Sequence, residues 1–277
     1  MGKHVWKFLV FLGVLVFVVL FLLPFAVEFS VALKNKQDVF SFPSSLLPDP
    51  VVWENFREIW NIIPLARVYA NTYTVIGLST ILNFFIAVPA AYGLSCLEFP
   101  FKKAVTALAF IAQMFVPVLV VVPVFKMMSG LHLVDSKLSL IIVDTAFSTA
   151  FVTLLLKGFF DTVPREVEDA ALIDGCSRFG AMVRIYMPLC MGGIVVAVVY
   201  NAINVNNEFL FANTLINSMD KNMMSVALFR LIKANPYESV TWNYVMAAAV
   251  YASVPIQVMF FFIRKHLTRG FTAGAIK

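Results

Sequence analysis

Five polar side chains crowd one apolar stretch of this 277-residue sequence: Asn201, Asn204, Asn206, Asn207 and Glu208. Another, Asp144, stands inside a second apolar stretch. Asn amides supply both donors and acceptors, which suits a ligand rich in hydroxyls. In an apolar segment such groups need partners or water, so they should face a bundle interior or a cavity. Steps of three and four put Asn201, Asn204 and Glu208 on one helical face. The same amides could equally bond neighbouring helices and hold a bundle together. For Asp144 three states stay open: protonated, paired with a base, or exposed to a pathway.

Covalent chemistry finds little support. The three His residues are scattered, and His132 reads as a surface residue with no second ligand at metal spacing. Cys96, Cys176 and Cys190 show neither ligand spacing nor a paired framework, so they read as inert thiols. No nucleophile–base pair and no P-loop lysine motif occurs. The chain is expected to be no enzyme, with no metal site of its own.

The elements that position these groups are membrane helices. Apolar residues make up 61% of the chain and charged ones 13%, against about 25% charged in a soluble domain. Too few charges remain to clothe a soluble body, whereas a lipid-facing surface needs none. The net charge of +5 suits anionic headgroups rather than nucleic acid. Six stretches approach the roughly 20 apolar residues that a span requires: Val5–Phe29, Tyr69–Leu97, Ala104–Met128, Leu138–Leu156, Leu189–Phe211 and Tyr244–Ile263. The first exceeds a signal-peptide core and lacks a small-x-small cleavage site after Pro24, so it reads as a retained helix. Connections are too short for a second domain, and a single transmembrane domain over 1–277 is expected. Twelve of the 21 Lys and Arg residues would lie on the side of the termini. Lys102–Lys103 and Arg264–Lys265 abut span ends, which makes that side cytoplasmic.

Two connections carry a pattern. Trp53, Phe56, Trp60 and Ile63 form an amphipathic stripe that either lies at the outer interface or packs on the bundle end. The second connection, Asp161 to Pro188, reads as two helices about a turn. Pro164 suits a first helical turn, and Glu166, Glu168 and Asp169 put negative charge near its N-terminus. Asp174–Gly175 offers a stop, and a second helix starts after Ser177. An acidic rim beside small residues suits insertion into a partner's groove; a merely solvated connector is the alternative.

This connection resembles the signature loop of ABC importer permeases: E-A-A, three residues, G, nine residues, I-x-L-P. Here it stands as Asp169, Ala170, Ala171, Gly175, Ile185 and Pro188, with Asp for Glu and Met187 for Leu. Further matches run along the chain: Asn71–Thr72, Ala90–Ala91–Tyr92–Gly93, Met114-Phe115-Val116-Pro117, Gly158-Phe159-Phe160, Asn207-Glu208-Phe209 and Thr272-Ala273-Gly274-Ala275. Together they resemble the carbohydrate-importer branch, of the G-type maltose-permease kind.

The resemblance implies an all-α, six-helix bundle of the type I importer permease fold in a bacterial or archaeal cytoplasmic membrane. It implies that Glu168, Asp169, Ala170, Ala171, Asp174, Gly175, Ile185 and Pro188 couple the chain to a partner ATPase. ATP and Mg would sit on that ATPase dimer, with no cofactor on this chain. Other implied partners are a second related permease, an extracytoplasmic solute-binding protein and a carbohydrate substrate. The C-terminal tail, Leu267–Lys277, would reach the ATPase. Asn201, Asn204, Asn207, Glu208 and Asp144 are the substrate-pathway candidates. Two rivals stay open: an ABC importer for another solute, and an ion-coupled transporter using Asp144 and Glu208. The latter predicts inverted repeats and leaves the signature loop unexplained.

Overall fold

The computed structural model describes residues 2–41, 45, 47–233 and 241–275; the side chains of 2–5 and 262–275 lie outside the description. In chain order the first helices are α1 (Gly2–Ala32), α2 (Glu54–Ile62), α3 (Leu65–Cys96) and α4 (Lys102–Ala112). Next come α5 (Pro117–Gly130), α6 (Lys137–Phe160), α7 (Arg165–Ile173) and α8 (Arg178–Ala181). After a π-helical turn at Met182–Tyr186 follow α9 (Met187–Leu189), α10 (Met191–Asn206) and α11 (Leu210–Leu215). The last two are α12 (Met224–Lys233) and α13 (Trp242–Ala275). Among the described residues four helices are long and apolar enough to cross a membrane unbroken, and two bent pairs, each counted as one span, raise the number to six.

Both bent pairs correct the sequence reading. Ala104–Met128 is not one helix: α4 and α5 meet at 98°. The cause is Pro117, which disfavours helical torsions at the residue before it. Val116 accordingly is extended (φ −78°, ψ 124°), and Pro117 opens α5. The fifth span is also shorter than Leu189–Phe211. It meets the preceding helical segment at 83°, at Cys190, and ends at Asn206.

The chain divides into two compact units, Met1–Leu65 with Ala227–Pro255, and Ala66–Val226 with Ile256–Lys277. In the first, the most apolar part of α1 has no buried residue, which suits a helix whose solvent is lipid tails. The aromatic stripe packs within this unit. Phe56 lies 5.8 Å from the Phe29 ring and 5.7 Å from Tyr251, and Trp60 meets Tyr251 edge-on. The inner face of α2 is Asn55 and Ile59. Asn55 donates to the Ala32 and Lys34 carbonyls, satisfying acceptors that the end of α1 leaves open.

In the second unit α3, α6 and α10 pack around two apolar clusters. One gathers Val75, Leu140, Val143, Val205, Phe211 and Leu215; the other gathers Val88, Tyr92, Leu156, Phe160, Tyr186 and Ile194. Between them, mid-helix, lies a polar layer. Asn83 donates to Ser148 Oγ at 2.6 Å, and Asn201 donates to Thr80 Oγ1 at 2.9 Å. Helices α6 and α10 approach closely because Gly193 lies against the Phe159 ring, where a Cβ would have no room.

Candidate functional site

The loop after α6 folds into a bracket of two helices about a turn. Helix α7 stops because Gly175 adopts φ +85°, a conformation that side chains resist. Gly175 N–H then reaches the Leu172 carbonyl and Cys176 N–H the Ala171 carbonyl, closing the helix end. Ser177 starts α8 by accepting from Gly180 N–H at 3.1 Å.

Two sets of contacts fix this bracket to the rest of its unit. Glu168 is buried. It accepts from the Tyr92 hydroxyl at 2.5 Å and the Tyr186 hydroxyl at 3.1 Å. At the start of α7, Arg165 Nη2 lies 2.8 Å from Glu98 Oε1 in the loop after α3. Arg165, and after it Lys102, hold the Glu98 carboxyl below the usual carboxylate range. Asp161 accepts from Ser95 Oγ at 2.6 Å and pairs with Lys157.

The signature residues thus divide. Asp169, Ala170, Asp174, Gly175 and Pro188 are exposed, and Ala171 and Ile185 are half-buried. Glu168 turns inward and belongs to the support instead. The sequence reading missed two outward residues: Ile173 is 85% exposed and Phe179 70% exposed. Helical spacing puts Ile173 one turn from Asp169 and Ala170, a signal that was available. An apolar pair bared on a polar connection calls for a partner surface.

A second feature lies where α10 ends. Asn207, Glu208 and Phe209 separate it from α11. Glu208 accepts from the Phe211 and Ala212 amides at 2.6 and 2.8 Å, capping α11 with its side chain. Ser225 Oγ donates to the Glu208 carbonyl at 2.7 Å. Beside this break is a cavity of about 400 Å³ that Asp144, Asn204, Asn207 and Glu208 line together. Asn201 does not line it; its amide is used in the polar layer against Thr80 and Asn83. Four of the five pathway candidates therefore meet, and the fifth bonds α3. The C-terminal tail's side chains, including Arg264, Lys265 and His266, fall outside the described residues.

Residues 65–273, which include both features, match the family described as the binding-protein-dependent transport system inner membrane component. The chain is 30% identical to the inner membrane ABC transporter permease protein YcjP of Escherichia coli K12, over 96% of this chain and 94% of YcjP. It is 31% identical to the sulfoquinovosyl glycerol transport system permease protein SmoH of Agrobacterium fabrum, over 89% and 85% of the two chains. It shares its fold with a chain of a bacterial ABC transporter involved in import of the acidic polysaccharide alginate. There the TM-score is 0.80 at 20% identity, with 96% and 97% covered. This chain belongs to the binding-protein-dependent transport system inner membrane component family and is a permease subunit of an ABC transporter.

Proposed function

We propose that the chain is the sugar-translocating permease of an ATP-driven importer, seated on a separate ATPase through the rim of the α7–α8 bracket. The observation that carries this reading is the bracket's two-sided build. Glu168 is held inside by two tyrosines while Ile173, Phe179, Asp169 and Asp174 face outward. A rigid attachment on one side and an apolar, acid-rimmed face on the other would transmit an ATPase movement into α3 and α10. ATP and Mg belong to that ATPase dimer. A second related permease completes the pathway, an extracytoplasmic solute-binding protein delivers the substrate, and both termini lie on the cytoplasmic side.

A sugar substrate is supported by the transport system for which SmoH is described and by the hydroxyl-seeking amides at the cavity. Purification of the chain from its native membrane in mild detergent tests the assembly. A P-loop ATPase and a second permease should accompany it, and Ile173→Glu should release the ATPase while leaving the second permease. Recovery of the chain alone, in every detergent, refutes the reading.

A further inference from the structure

Helix α2 presents a face that its own packing leaves uncovered. Asn55 and Ile59 are its buried residues, and Phe56 packs on Phe29 and Tyr251. Trp53, Arg57 and Trp60 follow one another at steps of four and three residues, so they share a different, outward face. Trp53 joins it because its torsions are already helical (φ −71°, ψ −20°). Trp53 is 60% exposed and Trp60 44% exposed, although Phe29 and Tyr251 meet their rings edge-on. Arg57 is exposed and forms no ion pair among the described residues. Glu54 and Glu58 are exposed beside it, and Glu58 accepts from the Tyr244 hydroxyl.

The depth of this face follows from its neighbours. The span Trp6–Ala32 of α1 is 27 residues long, which at the helical rise is about 40 Å. A bilayer with its headgroup layers measures about 40–45 Å, so Ala32 stands at the headgroup level opposite Trp6. The Trp53 ring lies 6.2 Å from Phe29, which is within one turn of Ala32. The exposed, lipid-facing surface of α1 thus runs on through Phe25 and Phe29 into Trp53. Helix α2 ends at Ile62, and α3, another span, begins at Leu65. It therefore joins two span ends on one side of the membrane. Neither simple solvent suits its open face. Water leaves two bared indoles without the burial that apolar surface favours, and the charges of Glu54, Arg57 and Glu58 exclude the hydrocarbon core. The headgroup layer between the two accepts both: indoles settle there, and a guanidinium meets phosphate.

We infer that the Trp53–Arg57–Trp60 face of α2 docks on the phospholipid headgroup layer, with both indoles near the ester groups and the Arg57 guanidinium on a lipid phosphate. The aromatic stripe of the sequence divides accordingly. Phe56 and Ile63 belong to the protein side of α2, and the two tryptophans belong to the lipid side. A helix held there fixes the height at which α1 ends and α3 begins. The inference rests on α1 being a membrane span and not on what the chain carries.

The test uses the full chain reconstituted in phosphatidylcholine vesicles. Trp6→Phe/Trp242→Phe leaves Trp53 and Trp60 as the only tryptophans. Their fluorescence is quenched by lipids brominated either near the carbonyl end or near the methyl end of the acyl chains. Bromines at the carbonyl end should quench about twofold more strongly than those at the methyl end, as rings at headgroup level require. Equal or stronger quenching from the methyl end places the rings in hydrocarbon and overturns the inference. No quenching from either lipid overturns it as well, and acrylamide then separates rings facing water from rings covered by a second copy or another protein. If the double variant does not fold, the quenching lost between the unmodified chain and Trp53→Phe/Trp60→Phe reads the same two rings with the same expectations. Arg57→Glu sets a negative charge against the phosphates and should cut the carbonyl-end quenching by about half. Unchanged quenching in Arg57→Glu overturns the phosphate contact.

Discussion

The Tyr92 hydroxyl donates to Glu168 Oε1 at 2.5 Å, so the end of α3 grips α7 from inside the chain. Tyr186 takes the other oxygen at 3.1 Å, and the two tyrosine rings meet edge-on, 5.3 Å between centroids. One carboxyl thus ties together a membrane helix, the first helix of the bracket and the π-helical turn that leads back to α10. Both rings belong to the apolar cluster shared by α3, α6 and α10. In the proposed role, a push on the bracket would be delivered to a packed core rather than to a loose connection, and packed cores move as bodies.

Glu168→Ala should therefore weaken coupling from within. It leaves two buried hydroxyls without their acceptor, a loss of about 1–3 kcal/mol. Thermal unfolding in detergent should shift downward, and uptake should fall several-fold more than ATP hydrolysis by the assembled complex. Glu168→Gln keeps an acceptor and should retain more of both. Uptake and hydrolysis falling in equal proportion in Glu168→Ala would show that Glu168 has no part in transmission.

Gly175 tests the same bracket at its turn. A Cβ there would meet no atom within 4 Å, so space is not the constraint. The constraint is φ +85°, which costs an L-residue roughly 1–2 kcal/mol. Gly175→Val should reduce uptake at least tenfold while the protein still folds and inserts. Gly175→Asn, which tolerates the left-handed region better, should fall between Val and the unmodified chain. Equal uptake in all three would mean that the turn's geometry does not matter to transport. Gly193 makes the contrast: there the Phe159 ring occupies the space, so Gly193→Val should lower stability rather than coupling.

Much of the fold was legible in the sequence because lipid imposes a simple rule: apolar length becomes helix. The four unbroken spans follow that rule. The bend between α4 and α5 was written in Val116–Pro117, yet the hydropathy of Ala104–Met128 concealed it. The bracket's ends were legible because Gly175 and Ser177 act locally. The role of Glu168 was not, because Tyr92 lies 76 residues away and only packing brings it near. Span five shows the same limit. Periodicity grouped Asn201 with Asn204 and Glu208, but the helix ends at Asn206, and the polar layer on α3 and α6 claims Asn201.

The loop between α5 and α6 offers a pH test. Asp135 accepts from Ser218 Oγ at 2.5 Å, from the Ser218 and Asn217 amides, and from Lys221. The Ser218 hydroxyl, then the Ser218 amide and Lys221, hold the Asp135 carboxyl well below its ordinary 3.8. A depressed folded value means that the linkage is fully present above the ordinary value and fades only as pH falls through the lower one. Protection of the Asn217 and Ser218 amides from hydrogen exchange, corrected for the intrinsic pH dependence, should persist as pH drops past 3.8. Protection lost above that value would contradict the assignment. Asp135→Ala should remove it at neutral pH.

Glu208 separates a structural from a pathway role at the α10 break. Its carboxyl caps α11 through the Phe211 and Ala212 amides, and removing a cap costs typically about 1 kcal/mol. Glu208→Ala should therefore lower the unfolding temperature modestly and loosen the 210–215 helix. It should not release the ATPase, whose proposed seat is on α7 and α8 and shares no hydrogen bond with Glu208. Uptake should change as well, because the same carboxyl lines the cavity. Glu208→Gln keeps one acceptor for the cap but removes the charge, so it splits the two effects. Near-normal stability with altered uptake in Glu208→Gln assigns the carboxyl to the pathway. Normal uptake in Glu208→Gln, with loss only in Glu208→Ala, assigns it to the cap alone.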